Sequence, residues 1–234
     1  MNKIESYLKT SEEMIEIRDK AIKIIKETKG ISEKEVAEFI LNEYKKKGLI
    51  PPKDKKEPKV IVAFGKNTSE VHHFPDKTKL KEGPIMMDIF AKHKNGCFVD
   101  LTFMLYKGKI KREFKEKFDL FIKARDEGLK FIERCMKKKY FPTLFEIDAV
   151  VRGYFSGRYV GDNFKHRIGH SMGRNVHDGD KMEYYKKIAI NRPYAFEPGL
   201  YFKNKFGIRL ENNFFIDKKL KIHFSGLQKK IIMI

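Results

Sequence analysis

Five side chains with the chemistry of divalent-metal ligands are spaced along the chain, each within its own local motif. Four are carboxylates and one is an imidazole: Asp88, Asp100, His170, Glu197 and Glu211. Oxygen ligands with a single histidine suit a pair of divalent transition metals. Paired ions of this kind lower the pKa of a bound water and polarise a carbonyl group. The residue types therefore predict a two-metal hydrolase.

The two aspartates lie in segments that the pattern predicts to be paired strands. Apolar runs cover Ile85–Ala91 and Cys97–Tyr106, and Asn95-Gly96 between them is a strong hairpin signal. In such a hairpin Asp88 and Asp100 fall within a few residues of opposite register, so both can reach one ion. The alternative is a pair of strand-edge acids that face water. Aspartate is disfavoured in strands, and a partly buried carboxylate needs a cation or several donors to stay charged, which favours metal ligands.

Histidines are concentrated in one stretch that two glycines interrupt. His166, His170 and His177 fall within twelve residues, and glycine there lets the backbone approach other groups closely. One histidine can bind a metal, while the others can hydrogen-bond a substrate or stabilise charge beside the metals. A further histidine, His72, follows a predicted strand. The histidines therefore add a second set of active-site residues to the carboxylates.

The other predicted elements are those that must position these residues. Apolar residues at helical spacing predict a helix from Ser11 to Lys29, and Ser32 with Glu35 forms a capping box for a second helix that reaches about Lys47. Downstream, the pattern predicts a strand over 59–64, helices over about 111–138 and from about 142, and strands with turns after residue 161.

The composition bounds the class of protein. With 234 residues, of which 41% are hydrophobic, the chain can bury one substantial core. Cys97 and Cys135 show no metal-type spacing, and the sequence contains neither a membrane-length apolar stretch nor the core of a signal peptide, so we expect a cytoplasmic protein without a membrane partner. The formal charge of +19 is mostly lysine spread over nearly every segment, which is typical of a solvated surface. Nucleic-acid binding is therefore not expected.

The order and local context of the candidate ligands resemble one known family. Three motifs carry the resemblance: His166-Arg167-Ile168-Gly169-His170, Glu197-Pro198-Gly199 and Gly207-Ile208-Arg209-Leu210-Glu211. They are similar to the motifs of the pita-bread metallopeptidases, which include methionine aminopeptidase, aminopeptidase P and prolidase, and they are most similar to the proline-specific branch. The resemblance extends from about residue 8 to residue 225. It implies an α+β fold in which a curved antiparallel sheet is flanked by helices.

The resemblance also implies a role for each metal ligand. Asp88 would bind one metal through both oxygens, while Asp100 and Glu211 would bridge the two metals. His170 and Glu197 would complete the other metal site. The resemblance suggests two divalent ions, with Mn or Co as the first choice and Zn or Fe as alternatives, because metal availability decides among them more than ligand type does.

Further residues acquire catalytic roles from the same resemblance. Glu197 would also act as a proton shuttle, and His72 and His177 match histidines that bind substrate or stabilise the transition state. His166 matches another active-site histidine of the proline-specific enzymes. Arg209 matches an arginine that supports the site, or contacts substrate, from just before the last ligand.

The implied activity is that of an exopeptidase acting on short peptides. A metal-bridging hydroxide would hydrolyse the N-terminal peptide bond, preferably before proline, in the manner of an Xaa-Pro dipeptidase or aminopeptidase P. One alternative is a methionine aminopeptidase-like activity, which the His-Arg-x-Gly-His and Glu-Pro-Gly motifs disfavour. The other is a catalytically inactive pita-bread binding module, which the presence of all five ligands disfavours. A homodimer is left open.

Three features depart from the family pattern. Phe103 stands where an arginine often follows Asp-x-Thr, so the charge around the site and the substrate preference are expected to differ. Asn67-Thr68-Ser69 and Asn175-Val176 replace the commoner small or acidic residues, which could alter substrate contacts.

Proline-specific relatives usually carry a separate N-terminal domain, whereas about fifty residues that read as two helices precede the first strand here. We therefore expect residues 1–234 to form a single catalytic domain, with residues 1–50 as its two N-terminal helices.

Overall fold

The computed structural model describes residues 3–54, 56–158 and 161–234. Helices and strands alternate in blocks along these residues, in the order α1 Lys3–Glu27, α2 Glu33–Lys47, β1 Ile61–Phe64, β2 Gly83–Ala91, β3 Val99–Lys107, α3 Arg112–Lys137, α4 Leu144–Phe155, β4 Tyr194–Phe196, β5 Gly199–Phe202, β6 Phe206–Arg209, β7 Asn212–Ile216, β8 Ile222–Ser225 and β9 Ile232–Met233. Short 3-10 helices cover Gly65–Ser69, Gly161–Asn163 and Lys181–Tyr185. All strand pairs are antiparallel except β3 with β9, so the expected α+β class is confirmed.

The first two helices form largely as the sequence predicts. The Ser32 hydroxyl accepts the Glu35 N–H at 3.3 Å, and the Glu35 carboxylate accepts the Ser32 N–H at 2.8 Å, which is the predicted capping box of α2. α1 begins at Lys3, earlier than the predicted Ser11. The reason is a tertiary contact, because Tyr7 is buried and its hydroxyl lies 2.8 Å from the hydroxyl of a residue in β8.

The sheet that carries both aspartates has the strand order β1-β2-β3-β9. β2 and β3 form the predicted antiparallel hairpin, in which Asp88 is opposite Thr102 and Phe90 is opposite Asp100. Alternate residues of a strand share one face, so the side chains of Asp88, Asp100 and Thr102 lie on the same side of the sheet. The hairpin thus places the two carboxylates as diagonal neighbours.

Two apolar layers enclose this sheet. Ile85, Met87 and Phe103 join the core formed with α1 and α2 on one face. Met86 and Met104 join the core formed with α3, α4 and the later strands on the other face. Those strands form one sheet of order β4-β7-β8 and a β5-β6 pair. The aspartates alternate with the first group of side chains, so they face the layer that contains the later strands.

No helix among the described residues has the length and apolar character of a membrane-spanning segment.

Candidate metal centre

The fold brings all five predicted ligands to one place. One ligand atom from each of Asp100, His170 and Glu211 lies within 4.8 Å of the other two. His170 Nε2 is 3.4 Å from Glu197 Oε1 and 3.9 Å from Asp100 Oδ2. Asp88 lines the same cavity, and its charge acts on both Asp100 and Glu211. Residues from the hairpin, from the histidine stretch and from the last sheet therefore meet at one centre.

A backbone pairing that requires glycine places His170 and Glu197. The chain around Gly169 runs beside β4, where the Glu197 N–H donates to the Ile168 carbonyl and the Ala195 N–H donates to the His170 carbonyl, both at 2.8 Å. A Cβ on Gly169 would overlap the Ala195 carbonyl oxygen, so glycine is needed for the two segments to approach this closely. The glycine of the histidine motif thus serves packing, while the histidine serves the site.

Thr102 joins the last ligand to the hairpin. The Glu211 N–H donates to the Thr102 carbonyl at 3.2 Å, and the Thr102 hydroxyl donates to Glu211 Oε2 at 3.1 Å. The same hydroxyl accepts from Arg209 Nε at 3.2 Å, and Arg209 Nη2 donates to Asp88 Oδ2 at 2.6 Å. These donors engage one oxygen of Asp88 and one of Glu211.

The second oxygens of the carboxylates are the feature that fits a metal. Asp88 Oδ1, Asp100 Oδ1 and Glu211 Oε1 are buried and have no hydrogen-bond partner within the described part of the chain. Burial raises the pKa of both Asp100 and Glu211 well above the usual range, and the neighbouring carboxylates raise it further. Buried like charges without partners are costly, and divalent cations would satisfy these oxygens and compensate their charge. The donor set therefore fits a divalent metal centre.

His170 presents the nitrogen that a metal would need. Its Nδ1 faces the Ser171 carbonyl at 3.3 Å, so the proton belongs on Nδ1 and Nε2 keeps its lone pair towards the carboxylates. Burial, followed by the charge of His177, lowers the pKa of His170 to about 3, so the imidazole is neutral at pH 7. Burial also raises the pKa of Glu197 to about 8. Both shifts indicate a desolvated pocket in which charge is unfavourable without a counter-ion.

A hydrogen-bonded chain leads from Arg209 to His166. His166 Nδ1 donates to the Arg167 carbonyl at 2.8 Å, and burial together with the Arg209 charge lowers the pKa of His166 to about 4. The neutral ring therefore accepts at Nε2 from the Tyr201 hydroxyl at 2.8 Å, and that hydroxyl accepts from Arg209 Nη1 at 2.9 Å. The sequence patterns assigned no role to Tyr201. Its position two residues after Gly199, just past the Glu-Pro-Gly motif, was the signal that could have identified it.

Two adjoining cavities open on the centre. The first has a volume of about 540 Å³ and is lined by all five predicted ligands, by Arg209 and by the chain around Pro51-Pro52. The second has a volume of about 370 Å³ and lies towards α4. Both are bordered by His72, His170, His177 and Glu197. His72 and His177 are exposed, and His72 Nδ1 lies 3.1 Å from the Glu57 carboxylate. The predicted substrate-side histidines therefore stand where the two cavities meet.

The residues that depart from the family pattern do not all reach the site. Phe103 lies on the opposite face of β3 from Asp100, where the Arg18 guanidinium stacks over its ring at 4.7 Å. Asn67 and Thr68 are buried among backbone and side-chain partners and border neither cavity. These two residues therefore make no direct contact with either cavity, and their effect on substrate contacts stays a prediction. By contrast, Asn175 and Val176 line the larger cavity.

Residues 9–218 match metallopeptidase family M24, and the chain belongs to this family. An uncharacterized peptidase of Methanocaldococcus jannaschii is 30% identical over 93% of this chain and 61% of its own length. The Xaa-Pro dipeptidase of Pyrococcus horikoshii is 24% identical over 98% of this chain and 64% of its own length.

Solved structures place the fold in the same family. The X-Pro aminopeptidase of Thermotoga maritima gives a TM-score of 0.81 at 25% identity, over 99% of this chain and 63% of that one. The prolidase of Pyrococcus horikoshii gives a TM-score of 0.80 at 22% identity, over 98% and 63% respectively. These likenesses confirm the expected pita-bread fold. The chain spans less than two thirds of the length of each of these four proteins.

Proposed function

We propose that the protein is a metal-dependent exopeptidase that hydrolyses the N-terminal peptide bond of short peptides in which proline follows the first residue. The observation that carries the proposal is the group of three buried carboxylate oxygens, from Asp88, Asp100 and Glu211, that have no hydrogen-bond partner among the described residues, together with Nε2 of His170, which keeps its lone pair. The relatives named Xaa-Pro dipeptidase and X-Pro aminopeptidase support the choice of substrate.

In this proposal Asp88, Asp100, His170, Glu197 and Glu211 hold two divalent ions. Mn²⁺ and Co²⁺ are the first choices, with Zn²⁺ and Fe²⁺ as alternatives. When bound, the two ions would supply a water of lowered pKa and a Lewis acid for the scissile carbonyl. Asp100 and Glu211 are the proposed bridging ligands because one ligand atom of each lies within 4.8 Å of the other and of His170, whereas Asp88 is paired with Arg209.

Glu197 is the proposed proton carrier because its position suits that task. Its side chain is 18% exposed, whereas the other three carboxylates of the centre are more deeply buried. It borders both cavities, so a peptide that crosses from one cavity to the other would place its scissile bond beside this carboxylate. A carboxyl group in that position can pass a proton to the leaving imino nitrogen.

The histidines are proposed to hold the peptide. His72 and His177 line both cavities, where their ring nitrogens could hydrogen-bond a peptide backbone. His166 lines the second cavity, with its tautomer set by the Arg167 carbonyl and Tyr201. These rings would orient the scissile carbonyl and hydrogen-bond the charge that develops on its oxygen.

We also propose that the catalytic unit includes the two N-terminal helices. α1 and α2 cover one face of the β2–β3 hairpin, and their apolar side chains share a core with Met87 and Phe103. Removal of these helices would expose the back of the strands that carry the aspartates. In this proposal residues 1–234 form one catalytic domain.

Hydrolysis of a peptide panel tests the proposal directly. The protein is loaded with Mn²⁺ or Co²⁺ and given Xaa-Pro dipeptides, Xaa-Pro-Yaa tripeptides and Met-Ala peptides, with Asp100→Asn as the inactive control. Cleavage before proline that disappears in the control supports the proposal and separates dipeptidase from aminopeptidase. Cleavage only after methionine would favour the methionine aminopeptidase-like alternative. Absence of cleavage together with absence of metal binding would favour an inactive binding module.

Metal stoichiometry tests the bridging assignment separately. Glu211→Gln is expected to hold fewer than two ions, because it removes charge from a proposed bridge. Glu43→Gln is the matched control, since Glu43 is also a buried, paired glutamate but lies on α2 away from the centre. Retention of two metals in Glu211→Gln, measured by elemental analysis, would show that Glu211 does not bridge.

A further inference from the structure

Side-chain amides, rather than a neighbouring strand, satisfy part of the edge of β3. The Asp100 N–H donates to Asn213 Oδ1 at 2.8 Å, and Asn213 Nδ2 donates to the Asp100 carbonyl at 2.5 Å. Four residues further along, the Met104 N–H donates to Gln228 Oε1 at 3.0 Å, and Gln228 Nε2 donates to the Met104 carbonyl at 2.6 Å. Each amide thus reproduces the pair of hydrogen bonds that one strand residue would make with another.

Of the two side-chain amides, that of Asn213 joins the two sheets at the metal centre. Its backbone belongs to β7, where it pairs with Ala195 of β4 and with Ser225 of β8. Its side chain, which is fully buried, pairs with the backbone of β3. Asn213 lies two residues after Glu211, so it connects the strand that carries Asp100 to the segment that carries Glu211, in addition to the link that Thr102 makes with Glu211 itself.

The carboxylates need such a constraint because they repel one another. The ligand atoms of Asp100 and Glu211 lie within 4.8 Å, and each side chain has an oxygen without a partner. Without a cation this repulsion would drive the two segments apart. A neutral amide can hold them together without adding charge, because it both donates and accepts. An acid at the same position would add a further negative charge, and an aliphatic residue would leave both backbone groups of Asp100 unpaired.

We propose that Asn213 is a positioning residue that sets the separation of Asp100 and Glu211, and thereby the ability of the centre to hold two ions together. The inference rests on the proposed function, since it takes these two carboxylates as the bridging ligands. Asn213 itself supplies no ligand atom, because both functional atoms of its amide are used by the Asp100 backbone. Replacement of Asn213 should reduce the affinity for the second ion more than it reduces the stability of the fold.

Gln228 provides a matched control for the test. It makes the same two-bond contact with the same strand, and its side chain is also buried, but it lies at Met104 and borders neither cavity. Asn213→Leu removes the amide while keeping its branched shape and number of heavy atoms, although leucine is bulkier, and Gln228→Met removes the amide while keeping an unbranched chain of similar length. Both are expected to lower Tm, because each leaves two buried backbone groups unpaired. Only Asn213→Leu is expected to change metal binding.

The experiment is a titration of each protein with Mn²⁺ alone, followed by calorimetry and by electron paramagnetic resonance. In Asn213→Leu we expect the second Mn²⁺ to bind at least about tenfold more weakly and the spin coupling between the ions to be lost, whereas Gln228→Met should stay within about twofold of the wild type. A folded Asn213→Leu that binds two coupled ions with wild-type affinity would overturn the proposal. Failure of the wild type to bind two ions would instead contradict the proposed function.

A measurement on the wild-type chain keeps the proposal testable if Asn213→Leu does not fold. The side-chain amide proton that Asn213 donates to the Asp100 carbonyl should be protected from hydrogen exchange in the metal-free protein, because the contact with Asp100 precedes metal binding. If this proton in the metal-free protein exchanges as fast as that of an exposed asparagine, the contact between Asn213 and Asp100 does not form before metal binding. The proposal would then be wrong.

Discussion

Arg209 and Asp88 form a buried ion pair at the centre of the site, with 2.6 Å between Arg209 Nη2 and Asp88 Oδ2. The pair occupies one oxygen of Asp88 and leaves the other without a partner. Arg209 is therefore the cation that compensates the acidic centre from within the chain. It also bonds the Thr102 hydroxyl, the Val71 carbonyl and the Tyr201 hydroxyl, so it organises neighbouring groups as well as neutralising charge.

The first prediction concerns the loss of this cation. Arg209→Met is expected to destabilise the metal-free protein by about 3–5 kcal/mol, because Asp88 would be left as a buried charge without its partner. The loss should shrink when Mn²⁺ is added, because the metal then compensates Asp88. Urea unfolding with and without Mn²⁺ measures both values. Arg125→Met is the control: Arg125 is equally buried, but its guanidinium contacts Asp126, Asn212 and Gln228 rather than a candidate ligand, so its cost should depend less on metal.

The second prediction concerns Asp100, whose replacement should have opposite effects in the two metal states. At about pH 8 the crowded carboxylates of the metal-free protein repel one another, so Asp100→Asn should melt no lower than the wild type. With Mn²⁺ at 100 times its Kd, the wild type should gain about 3 kcal/mol, and Asp100→Asn should gain much less. Thermal melts in chelator and in Mn²⁺ test this reversal.

Asp148→Asn is the matched control for that reversal. Asp148 is buried and also has an oxygen without a partner among the described residues, but it pairs with Arg152 and Tyr184 outside the metal centre. Its replacement should lower Tm equally in both metal states. If Asp100→Asn behaves like Asp148→Asn, repulsion among the carboxylates does not limit the metal-free protein.

The contrast between local and distant contacts explains what could be predicted from the sequence. The hairpin followed from the apolar runs on either side of Asn95-Gly96, so the proximity of Asp88 and Asp100 was predictable from one short segment. The Asn213 contact with Asp100 joins residues 113 positions apart, and an asparagine in a strand carries no local signal of a partner. Pattern analysis therefore identified the acids and the hairpin, whereas the amide that links them required the tertiary structure.

The third prediction separates metal binding from turnover at His177. The ring centroids of His177 and His170 are 4.1 Å apart, and His177 borders both cavities. His177→Ala should retain both metals while kcat for an Xaa-Pro substrate falls about 10²-fold, because a group that stabilises developing charge is lost. One ligand atom each of His170, His177 and Glu197 lies within 4.8 Å, so loss of one metal would instead make His177 a ligand. His93→Ala, which removes a histidine outside both cavities, is the control.

A separate buried cluster links α2 to the loop that carries His72. His73 is buried, with Nε2 at 2.7 Å from Glu33 Oε2 and Nδ1 at 2.9 Å from Glu70 Oε2. Glu33 also accepts the Phe64 N–H at 2.6 Å and the Asp76 N–H at 3.2 Å. Because both ring nitrogens face carboxylates, the ring is held as the imidazolium.

The fourth prediction is a pH dependence of stability that arises from this cluster. Burial lowers the pKa of His73, but the hydrogen bonds to Glu33 and then Glu70 outweigh burial and raise the pKa from 6.5 to about 8. A raised pKa means that the folded state holds the proton more tightly, so the contribution is complete below pH 6.5 and is lost as the pH rises through 8. The full contribution is at most about 2 kcal/mol.

The difference in free energy of unfolding between the wild type and His73→Gln should therefore fall across this window. Urea unfolding in chelator, repeated from about pH 6 to about pH 9, measures that difference. A difference that does not change with pH would show that His73 is not charged in the folded protein.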